Sequence, residues 1–147
     1  MNPPLRRAED REALVEGLRD GTIDAIATDH APHSAEEKSR GLQGSAMGVM
    51  GLETAFSVLY TDLVLPGKVS LERIIEALTE GPRRAFRLDS GVLPGQPADL
   101  TVIDPDATWT VDPAEFLSKG RSTPFAGKAV RSRIILTLKD GAPVWKS

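Results

Sequence analysis

Ile23-Asp24-Ala25-Ile26-Ala27-Thr28-Asp29-His30-Ala31-Pro32-His33 is the stretch on which the reading of this chain turns. Ala25 to Ala27 is a short apolar run that opens into a carboxylate and two imidazoles. An apolar run of that length, bounded by turn residues, reads as a buried strand of a parallel sheet. Pro32 ends it, because proline has no N–H to give to a ladder. Asp29, His30 and His33 then sit where a strand leaves its sheet, the rim at which α/β folds collect ligands and catalytic groups. Asp29 and His33 are the candidate functional residues on that ground. Taken alone, Asp29 reads equally as a strand-end aspartate that caps a turn or pairs with an arginine, and His33 as a solvated loop histidine.

Upstream, Asn2-Pro3-Pro4 is extended and stiff. Glu9 to Arg19 follows as an amphipathic helix with Leu14, Val15 and Leu18 on one face, closed by a left-handed glycine in Asp20-Gly21. Downstream, residues 33–48 are polar and punctuated by glycine. Glu36, Glu37, Lys38 and Arg40 there read as a solvated cluster. The loop is nevertheless long for a plain connection, and long loops often serve as lids or binding loops. Leu52, Ala55, Phe56, Leu59, Tyr60 and Leu63 then recur at helical spacing and are assigned to the core. Ser70 should cap the next helix, with Val69 and Ile74 as its hydrophobic staple. Leu71, Ile74, Ile75 and Leu78 are its expected buried stripe, Gly81-Pro82 its stop, and residues 83–88 one further helical turn. Past residue 91 the pattern changes to strands: Leu100 to Ile103, Trp109 to Val111 and Arg133 to Leu138. Asp140-Gly141 forms a hairpin turn into Ala142 to Trp145.

Composition narrows the class. A chain of 147 residues can bury a core but falls short of the roughly 250 of a complete (β/α)8 barrel. A net charge of −3 gives no electrostatic case for nucleic acid or an anionic membrane. Without cysteine there are neither disulfides nor thiolate metal sites. No apolar run approaches a membrane span and no signal peptide opens the chain, so the sequence reads as soluble and cytoplasmic.

Thr28-Asp29-His30-Ala31-Pro32-His33 resembles the strand-eight motif of the class I dihydroorotases, in the cyclic amidohydrolase branch of the amidohydrolase superfamily. Asn2-Pro3-Pro4-Leu5-Arg6, Gly51-Leu52-Glu53-Thr54-Ala55-Phe56, Gly91 to Leu100 and Ser122 to Gly127 are similar to other motifs of that family. The last two are shared more loosely with hydantoinases and allantoinases. The resemblance implies an α/β fold, the C-terminal part of a TIM-like (β/α)8 metallo-hydrolase barrel followed by part of a small β-sandwich. Residues 1–89 would be the end of strand seven, strand eight and the closing helices, and 90–147 the sandwich portion. It implies zinc, two ions in the complete enzyme, with Asp29 as metal ligand and as the catalytic acid and base. Asn2, His33, Met47 and Gly48 would bind the substrate, dihydroorotate or N-carbamoyl-L-aspartate, the last two through the main chain. His30 is not assigned as a ligand.

The family's His-x-His-x-Arg motif, its bridging lysine or aspartate and its further histidines are absent, and the chain has two histidines in all. The 147 residues by themselves are therefore expected to be inert and to hold no zinc pair. Two other readings stay open. One is a non-catalytic subunit supporting aspartate carbamoyltransferase; the other is a hydantoinase or allantoinase. Expected partners are the small-molecule substrate and either a homodimer mate or an aspartate carbamoyltransferase complex.

Overall fold

Two apolar clusters organise the chain, one among helices and one beneath a sheet, and a single helical run forms the wall between them. The structure, a computed structural model, describes residues 3, 4, 6–88 and 92–147. Asn2 and the expected boundary at 89/90 lie outside the described residues.

Helix α1 (Ala8–Asp20) closes on Gly21 at φ 88°, the left-handed position its sequence predicts. Arg73 ties this corner together. Its Nε donates to the Leu18 carbonyl at 2.7 Å, and its guanidinium also reaches the Ile23 carbonyl and the Glu76 carboxylate. Helix α5 (Leu71–Leu78) carries the expected cap, with Ser70 Oγ accepting the Arg73 N–H at 3.2 Å. Val69 and Ile74 are buried in one cluster with Leu18 and Ala77. The expected stripe needs one correction: Ile75 is 44% exposed and Ala77 takes the buried place. Ala77 lies three residues from Ile74 and so shares its face, whereas the next residue points about 100° away. Gly81-Pro82 does not stop the helix for long either. Helix α6 (Glu80–Phe86) begins after Thr79 alone, and Pro82 falls in its first turn, where a missing N–H costs nothing.

Residues 52–64 form one run: a 3-10 turn (Leu52–Thr54), helix α4 (Ala55–Leu59) and a π turn (Tyr60–Val64). Phe56, Leu59 and Leu63 face the helical cluster, while Val58 faces the second cluster of Met50, Val111, Phe116 and Val130. Leu52, expected in the core, is 61% exposed, because the opening 3-10 turn leads it away from the packed face.

Strands β1 (Leu100–Thr110), β2 (Ala129–Lys139) and β3 (Ala142–Lys146) make an antiparallel sheet in that order. Asp140 (φ 51°) and Gly141 (φ 79°) supply the two left-handed residues that a tight hairpin turn demands. The two strands expected at 100–103 and 109–111 are largely one, interrupted by a register shift between Asp104 and Thr108. Opposite that irregularity sits Ser132, wholly buried at φ 73°. Its carbonyl accepts from Ser57 Oγ and from Trp109 Nε1, both at 2.8 Å. Thr61 Oγ1 accepts the Arg131 N–H at 2.9 Å. The bulge is thus what fastens the sheet to the helical run.

The segment through Ile26 departs from expectation. It is extended but forms no strand, since no neighbouring strand among the described residues offers it a ladder. Helices hold it instead: the Ile26 N–H donates to the Ala77 carbonyl at 2.9 Å, and Gly81 lies against the Asp24 carbonyl. The one pairing nearby is a parallel bridge between His30 and Val49, where the Ala31 N–H donates to the Val49 carbonyl at 3.0 Å. No helix among the described residues is long and apolar enough to cross a membrane.

Candidate functional site

Asp29 stands at the end of the extended segment with φ 46°, a left-handed conformation that aspartate tolerates better than most residues. It is exposed, and its carboxylate meets no hydrogen-bond donor or cation among the described residues. Neither a turn cap nor an arginine partner occupies it. A carboxylate held on strained backbone and left unpaired is available to a proton or a metal ion.

Residues 33–48 fold back on the same segment. Ser34 and Glu37 form a capping box around helix α2 (Ala35–Lys38): the Ser34 N–H donates to Glu37 at 2.8 Å and the Glu37 N–H to Ser34 Oγ at 3.1 Å. The Ser34 amide is the main reason that Glu37 titrates below the usual carboxylate range. His33 is half-buried. Its Nε2 donates to the Met47 carbonyl at 2.9 Å, and its Nδ1 lies 3.6 Å from Glu37. After helix α3 (Gly41–Gly44) the chain turns inward, and Lys38 Nζ donates to the carbonyls of Ala46 and Gly48, both at 2.8 Å. The cluster read as solvated is therefore split. Glu36 and Arg40 pair on the surface, whereas Lys38 is turned in because carbonyls bent away from water need a donor.

Gly48 adopts φ 122°, and a Cβ there would lie 2.5 Å from Ala31 Cβ and 3.3 Å from His33 Nε2. Backbone 46–48 thus packs directly on residues 31–33. Its three carbonyls are taken by Lys38 and His33, while the amides of Met47 and Gly48 donate to no described residue. The Met47 side chain is exposed. The structure therefore brings His33, Met47 and Gly48 together beside the segment carrying Asp29; Asn2 lies outside the described residues.

His30 is occupied structurally. Its Nδ1 accepts the N–H groups of Gly51 and Leu52 at 3.3 and 3.2 Å, which leaves the proton on Nε2, 3.4 Å from Ser118 Oγ. Glu53, which sequence reasoning did not single out, completes that corner by accepting the N–H groups of Leu117 at 2.8 Å and Ser118 at 3.1 Å. Desolvation pushes the Glu53 carboxyl up, but hydrogen bonds from Ser118 and Leu117 outweigh it and hold the group below the usual range. The only sequence signal was its place in the Gly51-to-Phe56 motif.

Among the described residues no group of three or more His, Cys, Asp or Glu could hold a metal ion. A catalytic zinc takes three protein ligands, so Asp29 fits as one member of a donor set and cannot form the site alone.

The profile of the Amidohydrolase family matches residues 2–144. The chain belongs to the amidohydrolase family. It is 52% identical over 147 residues to a dihydroorotase of Bacillus cytotoxicus, covering 99% of this chain and 34% of that one. It is 53% identical over 148 residues to a dihydroorotase of Brevibacillus brevis, covering 100% and 35%. An L-hydantoinase (dihydropyrimidinase) from Arthrobacter aurescens superposes with a TM-score of 0.89 at 34% identity, over 98% of this chain and 33% of that one. A D-hydantoinase (dihydropyrimidinase) from a Thermus species superposes at 0.88 with 25% identity, over 99% and 33%. This amidohydrolase chain spans about a third of the length of the curated relatives it matches. Its fold is α/β with a three-stranded antiparallel sheet.

Proposed function

We propose that the chain is the C-terminal portion of a zinc-dependent dihydroorotase, which interconverts N-carbamoyl-L-aspartate and dihydroorotate. Residues 1–89 would complete a (β/α)8 barrel and 90–147 would form part of a β-sandwich. The observation that carries the reading is the unpaired Asp29 carboxylate at φ 46°, on the same segment whose residues 31–33 pack against the 46–48 backbone. Identity of 52–53% to dihydroorotases across essentially the whole chain supports it.

When bound, zinc supplies Lewis acidity and lowers the pKa of water. Asp29 would be one ligand, the others coming from the part of the relatives' length to which this chain does not align. Ring opening joins the water oxygen to the amide carbon, breaks the C–N bond and leaves the nitrogen short of a proton. Asp29 takes a proton from the water and returns it to that nitrogen; closure reverses both transfers. The free amides of Met47 and Gly48 suit the substrate's carbonyl oxygens, and His33 would meet its carboxylate by giving up the bond of Nε2 to the Met47 carbonyl. Macromolecular partners on this reading are a homodimer mate or aspartate carbamoyltransferase. The Arthrobacter likeness supports a second reading, in which the cyclic amide is a hydantoin.

Residues 1–147 grafted in place of the matching third of the Brevibacillus brevis relative provide the test, assayed with dihydroorotate, hydantoin and allantoin. Dihydroorotate turnover is the expected result. Turnover of hydantoin alone would replace the first reading with the second, and a folded graft inert to all three would remove both.

A further inference from the structure

A concavity of about 370 Å³ opens between helix α2 and residues 119–122, lined by His33, Ala35, Lys38, Ser39, Lys119, Arg121 and Ser122. It holds three permanent cations and no carboxylate among those lining residues, on a chain whose net charge is −3. The cations are positioned without being neutralised. Lys38 Nζ is held by two carbonyls, and the Arg121 guanidinium donates to the carbonyls of Ser118 and, at 2.8 Å, Gly120. Lys119 makes no hydrogen bond or ion pair with any described residue. The two acids of helix α2 are otherwise engaged: Glu37 faces His33 and is bound by the Ser34 amide, and Glu36 pairs with Arg40.

Neutral carbonyls fix a cation in place and leave its charge intact, so three positively charged side chains border one hollow with no carboxylate among its lining residues. An anion seated there is attracted by all three. Lysine and arginine donors with serine hydroxyls beside them match the oxygens of a phosphoryl group, and the volume suits a small molecule. We propose that this concavity binds a small oxyanion of the phosphoryl class carrying two or more charges. The concavity shares His33 with the proposed substrate site, but Lys119 and Arg121 have no part in that site, and the inference is tested by binding, not turnover, so either can fail while the other stands.

The full 147-residue chain is dialysed to equilibrium against labelled pyrophosphate, with ADP and citrate as competitors. The expected result is one saturable site per chain that weakens as salt is raised. Lys119→Gln, which breaks no contact among the described residues, should weaken binding about threefold or more, and Lys119→Glu about tenfold or more. Arg40→Gln, whose guanidinium pairs with Glu36 outside the concavity, should change nothing. Competition by ADP would identify a nucleotide tail as the source of the phosphoryl group; its failure to compete would identify the free diphosphate. No saturable uptake, equal uptake by Lys119→Glu, equal weakening by Arg40→Gln, or displacement by citrate as effective as by pyrophosphate would each overturn the assignment.

Discussion

Replacing Gly81 by alanine sets two effects of opposite sign against each other, and the structure decides between them. Gly81 is the second residue of α6, and helix propensity alone would favour alanine by at most about 1 kcal/mol. Its ideal Cβ, however, would lie 1.9 Å from the Asp24 carbonyl oxygen and 3.0 Å from the carbon behind it. Ordinary C···O contacts begin near 3.3 Å, so the two backbones must separate by more than about 1 Å. They are not free to do so. The Ile26 N–H is bonded to the Ala77 carbonyl at 2.9 Å, and Arg73 grips the Ile23 carbonyl just before Asp24. Overpacking of this kind costs about 1–3 kcal/mol, and a broken backbone hydrogen bond about 0.5–1.5 more. A net loss of about 1–3 kcal/mol is expected, seen as a lower denaturation midpoint of the purified chain. The displaced segment is the one that carries Asp29. In the Brevibacillus graft the same substitution should cut turnover by about 10²-fold, the penalty for misplacing a reacting group by about 1 Å. An unchanged or raised midpoint for Gly81→Ala would refute the claim that helix α6 sets the position of this segment.

Asp29→Asn keeps the shape and removes the proton carrier, so turnover of the graft should fall by about 10²–10⁴; near-normal turnover would take Asp29 out of the chemistry. His33→Ala should raise KM while leaving bound zinc unchanged, and zinc loss in that variant, measured by elemental analysis, would mean that the roles of His33 and Asp29 are exchanged. Glu53 titrates lower when folded than its ordinary 4.5, so its contribution to stability is complete above that value and is lost as pH falls through the folded-state pKa. Urea melts of Glu53→Gln should therefore show a flatter fall in stability below about pH 4.5 than the parent chain; parallel curves would count against the Leu117–Ser118 anchor. The purified 147 residues, dialysed against zinc, should retain less than one ion per chain, because Asp29 is one ligand where three are needed. Stoichiometric uptake would mean that copies of the chain complete the site between them.

What could be read in the sequence was what depends on neighbours along the chain. Gly21, Ser70 with its Val69–Ile74 staple, and Asp140-Gly141 all sit as expected because a cap or tight turn is satisfied within a few residues. The run through Ile26 failed as a strand for the complementary reason. Apolar patterning reports a wish to be buried, but a ladder needs a partner, and the described partners are the carbonyl of Ala77 and the flank of Gly81. The site divides along the same line. Asp29 and His33 were visible as residue types at the end of an apolar run, whereas the left-handed backbone of Asp29 is set by packing no local rule encodes. Glu53 reads as an ordinary acid at a helix start, and only the amides of Leu117 and Ser118, more than sixty residues on, make it an anchor. Lys38 is the more instructive case, because its partners are only eight and ten residues away. Averaged over the loop, four charges mean solvent. Counted group by group, a glycine-rich backbone that doubles back strands carbonyls facing inward, and each needs a donor close by. A lysine on the helix before such a bend has the reach to serve two carbonyls at once. Its inward turn therefore follows from the demands of the backbone, even though composition points the other way.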